Sequence, residues 1–185
     1  MSAYELPRSL VIGGREYALR TDFRAVIDVL IACNDPELDD YDKMEVMVKI
    51  LLPEWETLPD EDLQEALEKL RDFIDCGQCD DGKDHPQVIN WEKDAGIIIP
   101  AVNSVAHTEV RTLPELHWWT FFGYFMEIRK SLFSDVLSIR QKKAQHKKLE
   151  KWEQDFYKEN RALIDLQTVD AEEIRAEKES ILKWL

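Results

Sequence analysis

The sequence predicts a mainly α fold: a bundle of about six to seven helices, a short N-terminal β-hairpin and an extended amphipathic C-terminal helix. Three observations carry this. Apolar residues recur at three- and four-residue spacing along most of the chain. Two short apolar segments flank Gly13-Gly14, and both glycines accept the positive φ of a primed hairpin turn. Residues 116–133 are apolar nearly all round, the mark of a helix inside a core. With 185 residues, 44% of them hydrophobic, the chain can bury one real core, with room for a small second subdomain.

Leu10-Val11-Ile12 and Glu16-Tyr17-Ala18-Leu19 form the hairpin. Thr21-Asp22 caps a helix carrying Phe23, Val26, Ile27, Leu30 and Ile31, and Asn34-Asp35-Pro36 stops it. A second helix begins near Asp39–Tyr41 and ends before Pro53, with Met44, Met47, Val48, Leu51 and Leu52 as its apolar face. Pro59-Asp60-Glu61-Asp62 starts a third, placing acids at the positive end of the helix dipole. Its stripe is Leu63, Leu67, Leu70, Phe73 and Ile74, with Gly77 as C-cap.

Residues 77–87 read as an exposed loop, and Val88–Trp91 as extended chain. A fourth helix spans about Glu92 to Ala106 despite Gly96 and Pro100. A fifth begins at Leu113-Pro114-Glu115 and forms the core helix to Phe133. In it, Trp119 is assigned to the core and Trp118 to core or partner. Ser134-Asp135 caps a sixth helix that runs to about residue 164, its turns from Arg140 to Lys148 projecting into solvent or against a partner. Thr168-Val169-Asp170 caps a last short helix with Ile174, Ile181, Leu182, Trp184 and Leu185 on its apolar side. The chain divides into an acidic hairpin-plus-helical body, 1–133, and amphipathic C-terminal helices, 134–185, which either stand apart or form one domain with the body.

The net charge of −14 lies entirely in residues 1–133, which hold 13 Lys/Arg against 27 Asp/Glu; residues 134–185 hold 11 of each. Such a body repels nucleic acid and anionic membranes over most of its surface. No stretch reaches the roughly 18 apolar residues of a membrane span, and Met1–Arg8 has no apolar signal core. Cys33, Cys76 and Cys79 make an odd count without framework spacing. Together these features predict a cytoplasmic protein in a reducing compartment.

Little points to catalysis, and no cofactor is expected. Cys76-Gly77-Gln78-Cys79, with His85 nearby, suggests a redox dithiol or a metal site. The motif follows a helix, so the dipole opposes the thiolate, and a zinc site lacks a second Cys/His pair. Counting back from Gly82 puts Gly77 where a calcium loop needs Asp. The histidines are scattered, with His117 at the edge of the core helix's polar arc, and neither a phosphate-binding loop nor HExxH occurs. The expected activity is binding. Arg140, Lys143, Lys147, Lys151, Lys158 and Arg161 share one side of the sixth helix, opposite Leu149, Trp152, Phe156 and Leu163. This stripe, with Trp152 and Phe156, is the candidate partner surface. It suits acidic protein, including the acidic half of another copy, better than phosphate backbone.

Leu116-His117-Trp118-Trp119-Thr120-Phe121-Phe122, followed by Phe133–Arg140 with its Ile139-Arg140 pair and lysine-rich continuation, resembles the gene-product-fifteen proteins of tailed phages. Thr21-Asp22-Phe23-Arg24, Trp91-Glu92-Lys93-Asp94-Ala95 and Phe156-Tyr157 are similar to family positions as well. Residues 96–107 depart from the pattern, with Gly96 and Pro100 where relatives carry an aromatic or alanine-rich helix. The resemblance implies a non-catalytic tail assembly chaperone of long-tailed phages, working in the bacterial cytoplasm and absent from the mature virion. Its implied partners are the tape measure protein and the tail-tube protein. The alternative is a structural minor tail or head–tail connector protein.

Overall fold

The structure is a computed structural model describing residues 4–78 and 86–166. Strands β1 (Ser9–Ile12) and β2 (Arg15–Ala18) pair antiparallel, Ile12 opposite Arg15 and Leu10 opposite Tyr17. Gly13 (φ 56°) and Gly14 (φ 78°) make the turn left-handed, as expected. Gly13 is needed for a second reason: a Cβ there would collide with the Asp62 carboxylate. The outer edge of β1 is covered by side chains, with Glu65 accepting the Gly13 N–H at 2.9 Å and Lys69 donating to the Val11 carbonyl.

Helix α1 (Phe23–Cys33) starts at Asp22, whose carboxylate accepts the Arg24 N–H, and α2 (Asp40–Leu51) starts at Asp39 in the same way. Helix α3 (Leu63–Ile74) follows a 3-10 turn over Asp60–Asp62 and buries Ala66, Leu70 and Phe73. Met44 and Leu63, expected on apolar faces, are exposed at 41% and 36%. The end of α3 differs subtly from expectation. Cys76 (φ 55°) takes the first left-handed position, with Gly77 after it; their N–H groups donate to the Phe73 and Asp72 carbonyls.

Helix α4 (Ala95–Ala106) forms with Pro100 inside it. Pro100 lacks the N–H that would bond to the Gly96 carbonyl. Burial of Ile98, Ala101 and Val102 offsets that loss. Helix α5 (Trp118–Met126) is shorter than the predicted core helix and starts at His117 rather than Pro114. Lys130 (φ 46°) turns the chain, and Ser131 with Ser134 forms a capping box that starts α6 (Leu132–Ala144).

The long sixth helix is the main correction. It is three helices: α6, then α7 (Lys151–Glu159) and the four-residue α8 (Arg161–Ile164). His146 (φ 54°) ends α6, with the N–H groups of His146 and Lys147 reaching back to Lys143 and Lys142, and Glu150 with Glu153 begins α7 as a second capping box. Residues 141–148 offer no large apolar anchor, so a straight helix would leave two turns unsupported. Turning back lets Leu149, Phe156, Tyr157 and Leu163 pack around Val136, Ile139 and Ile164. Of these, the fully buried Val136, Ile139 and Ile164 each stabilise by about 1.5–3 kcal/mol. The apolar helix expected beyond residue 167 lies outside the described residues.

The main core gathers the hairpin and α1–α5 around Trp118, Phe121, Phe73 and Tyr17. Phe23 stacks on Phe121 at 4.4 Å. Of the tandem tryptophans, Trp118, left between core and partner, lies in the core at 1% exposure, and Trp119 packs against that core partly buried. Both indoles donate to the C-terminal carbonyls of α3, Trp118 to Ile74 at 2.8 Å and Trp119 to Phe73 at 2.9 Å. Helix ends carry such orphan carbonyls, and adjacent tryptophans can reach two of them.

Candidate functional site

Two polar knots organise the molecule, and each joins two of the motifs that carry the family resemblance. In the first, Asp22 accepts the backbone N–H of Leu116 at 3.0 Å and binds the Arg24 guanidinium at 2.9 Å. Arg24 then donates to the carbonyls of Arg111 and Leu113, each at 3.0 Å. Phe23 N–H bonds to Leu116 and Trp118 N–H to Thr21, so a short antiparallel bridge seals the start of α1 to the start of α5. His117 is 5% exposed, not at a polar edge. Its Nδ1 accepts the Trp119 N–H at 3.1 Å, so its Nε2 carries the proton and donates to the Pro7 carbonyl at 2.9 Å.

In the second knot, Arg140 on α6 meets Asp94 at the head of α4, the side chains 4% and 0% exposed. The contact is a bidentate fork of 2.6 and 2.8 Å. The remaining guanidinium hydrogens go to backbone carbonyls: Val88 (2.9 Å), Leu163 (2.7 Å) and Ile164 (2.9 Å). All five N–H donors of an arginine are thereby used. Asp94 also accepts the Asn90 N–H at 2.9 Å. Arg140 is therefore not part of a solvent-facing stripe. It belongs to the interior, and it ties the 88–94 segment and α8 to α6.

The other expected contact residues divide three ways. Lys143 is held inward, its Nζ 3.9 Å from the Tyr157 ring and bonded to Asp165. Burial lowers its pKa, but Asp165 and Tyr157 outweigh that and hold the ammonium above its usual range. Phe156 is half-buried in the small core. Lys158 and Arg161 are exposed and pair with Asp155 (3.3 Å) and Asp165 (3.5 Å), contacts that surface water weakens. With Gln154 and Tyr157 they line an open groove along α7 and α8. Lys147 and Lys151 are exposed and form no ion pair among the described residues, and Trp152 is 49% exposed.

Two features were missed in the sequence. Lys148, exposed and unpaired among the described residues, falls off the stripe of a continuous helix but joins Lys147 and Lys151 at the α6–α7 elbow. Glu153 is 1% exposed and binds Lys142 at 2.6 Å and the Glu150 N–H at 2.8 Å. Burial raises its pKa, yet these bonds outweigh it and keep the carboxyl below its usual range. The Glu150-x-x-Glu153 spacing was the available signal.

Of the suggested redox or metal residues, Cys79 and His85 lie outside the described residues. Cys76 serves in the α3 C-cap, and burial, helped by the Asp75 charge, pushes its thiol up to about 12. No group of three or more metal-ligating side chains occurs among the described residues.

The knots and the elbow thus belong to a mainly helical protein with a hairpin on its N-terminal side and an exposed cationic and aromatic C-terminal face. The sequence matches the model of the Bacteriophage Gp15 protein family over residues 3–166, and the chain belongs to that family. No curated protein and no solved structure matches it.

Two predictions follow from this geometry. Arg140→Ala strands the buried Asp94 carboxylate and should cost about 3–5 kcal/mol in urea unfolding. Arg140→Lys should recover only a minor part, because one ammonium cannot span these acceptors. The lowered pKa of Glu153 makes its contribution fully present above the usual glutamate value, 4.5, and lost as pH falls through the lower folded value. The urea midpoint should accordingly drop below about pH 4.5, and Glu153→Gln should flatten that part of the profile. An unchanged acid limb in the variant would show that Glu153 does not set it.

Proposed function

We propose that the chain is a non-catalytic tail assembly chaperone: it binds the tape measure protein in the bacterial cytoplasm and promotes tail-tube assembly, then leaves before the virion is complete. Membership of the phage family over residues 3–166 carries this reading. The structure adds support, because the motif residues are spent on folding. Asp22, Arg24, His117, Asp94 and Arg140 bond to one another and to backbone, and none is presented to a substrate. What is left for a partner is surface.

The groove of Gln154, Tyr157, Lys158 and Arg161 is suited to a helical tape measure segment. An aromatic floor takes apolar side chains, and a cationic rim takes acidic ones. Nucleic acid and membrane are disfavoured as partners by the −14 net charge.

Co-expression with the tape measure protein of the same phage should raise that protein's soluble yield and give a complex stable to gel filtration. Lys158→Glu with Arg161→Glu should lower the yield while leaving the circular dichroism unchanged. Stoichiometric presence of the chain in purified virions would instead establish a minor tail or head–tail connector protein.

A further inference from the structure

We propose that two copies of this chain bind head to tail, the cationic α6–α7 elbow of one against the acidic turn between α2 and α3 of the next. This goes beyond the chaperone reading, since it concerns the chain without any tape measure. At the elbow, Lys147, Lys148 and Lys151 are exposed without an ion pair among the described residues, beside Trp152 at 49% exposure. Between α2 and α3, Glu56, Asp60 and Glu61 are likewise exposed without an ion pair among the described residues. Trp55, 36% exposed with Lys49 at 5.0 Å from its ring, lies beside them.

Each surface therefore carries three exposed charges of one sign without an ion pair among the described residues, and a part-exposed tryptophan; at the elbow the Trp152 indole N–H donates to Glu150 at 3.1 Å. Elsewhere the chain pairs many of its exposed charges, as in Arg8–Glu115, Arg15–Glu54 and Lys49–Glu45. The two trios face no partner of their own among the described residues, and they complement each other. Tryptophan is enriched at the centre of interfaces, where charges at the rim set register and choice of partner.

The net charge of −14 decides the conditions rather than the outcome. At about 0.1 M salt, repulsion beyond about 10 Å is screened while contacting charges still attract; at 1 M the screening length is about 3 Å and the contact is lost. Bound head to tail, each copy keeps one surface free, so the contact is heterologous and propagates into a ring or an open chain.

The test is sedimentation velocity of the full-length chain over a concentration series. At about 0.1 M salt it should form oligomers that dissociate at high salt. The variant Lys147→Glu/Lys148→Glu/Lys151→Glu and the variant Glu56→Lys/Asp60→Lys/Glu61→Lys should each associate roughly tenfold more weakly or worse. Mixing the two should restore oligomers, since each reversed surface then meets its complement. A wild-type chain that stays monomeric overturns the proposal. Oligomers indifferent to both reversals, or reversals that mixing does not rescue, overturn it equally.

Discussion

The buried guanidinium of Arg140 is the constraint on which the C-terminal third depends. One side chain on α6 satisfies a carboxylate at the head of α4 and three carbonyls from two other segments. Burying an ion pair is costly, and the cost is met here only because every donor finds an acceptor. The same demand explains the chain path. Unless α8 returns to α6, the carbonyls of Leu163 and Ile164 cannot reach Arg140, and Val136, Ile139 and Ile164 cannot close their small core.

A second polar knot does comparable work at the other end. Asp22, Arg24 and His117 seal the hairpin-to-helix junction against the start of α5, which lets Trp118 and Phe121 sit at the centre of the main core. The family's motif residues are thus mostly architectural. Tryptophans, an arginine and a histidine that would suggest a binding platform in isolation are instead occupied with orphan carbonyls and backbone N–H groups. The side chains that remain on the surface are the lysines of the elbow and the rim of the α7–α8 groove.

Local signals in the sequence were legible where the physics is local. Gly13-Gly14, Asp22 and Asp39 announce a turn and two caps from their own chemistry, and helices α1 to α4 appear close to where periodicity puts them. The C-terminal third was misread because its helix ends are decided by distant contacts. A periodic count continues through His146, whereas the real chain ends α6 there so that Leu149 and Phe156 can reach Ile139. Arg140 looked like a member of a cationic stripe for the same reason. Its partner, Asp94, is 46 residues away, and no spacing rule connects them.

The Arg140 knot fastens α6, α7 and α8 to α4 as one unit. Amide hydrogen exchange on the native protein tests it most directly, because cooperative units open together. In the native protein α7 and α8 should exchange with α4 and α6 at a common opening free energy, and Asp94→Asn should release α7 and α8 first. Wild-type α7 and α8 amides exchanging orders of magnitude faster than those of α4 would contradict it.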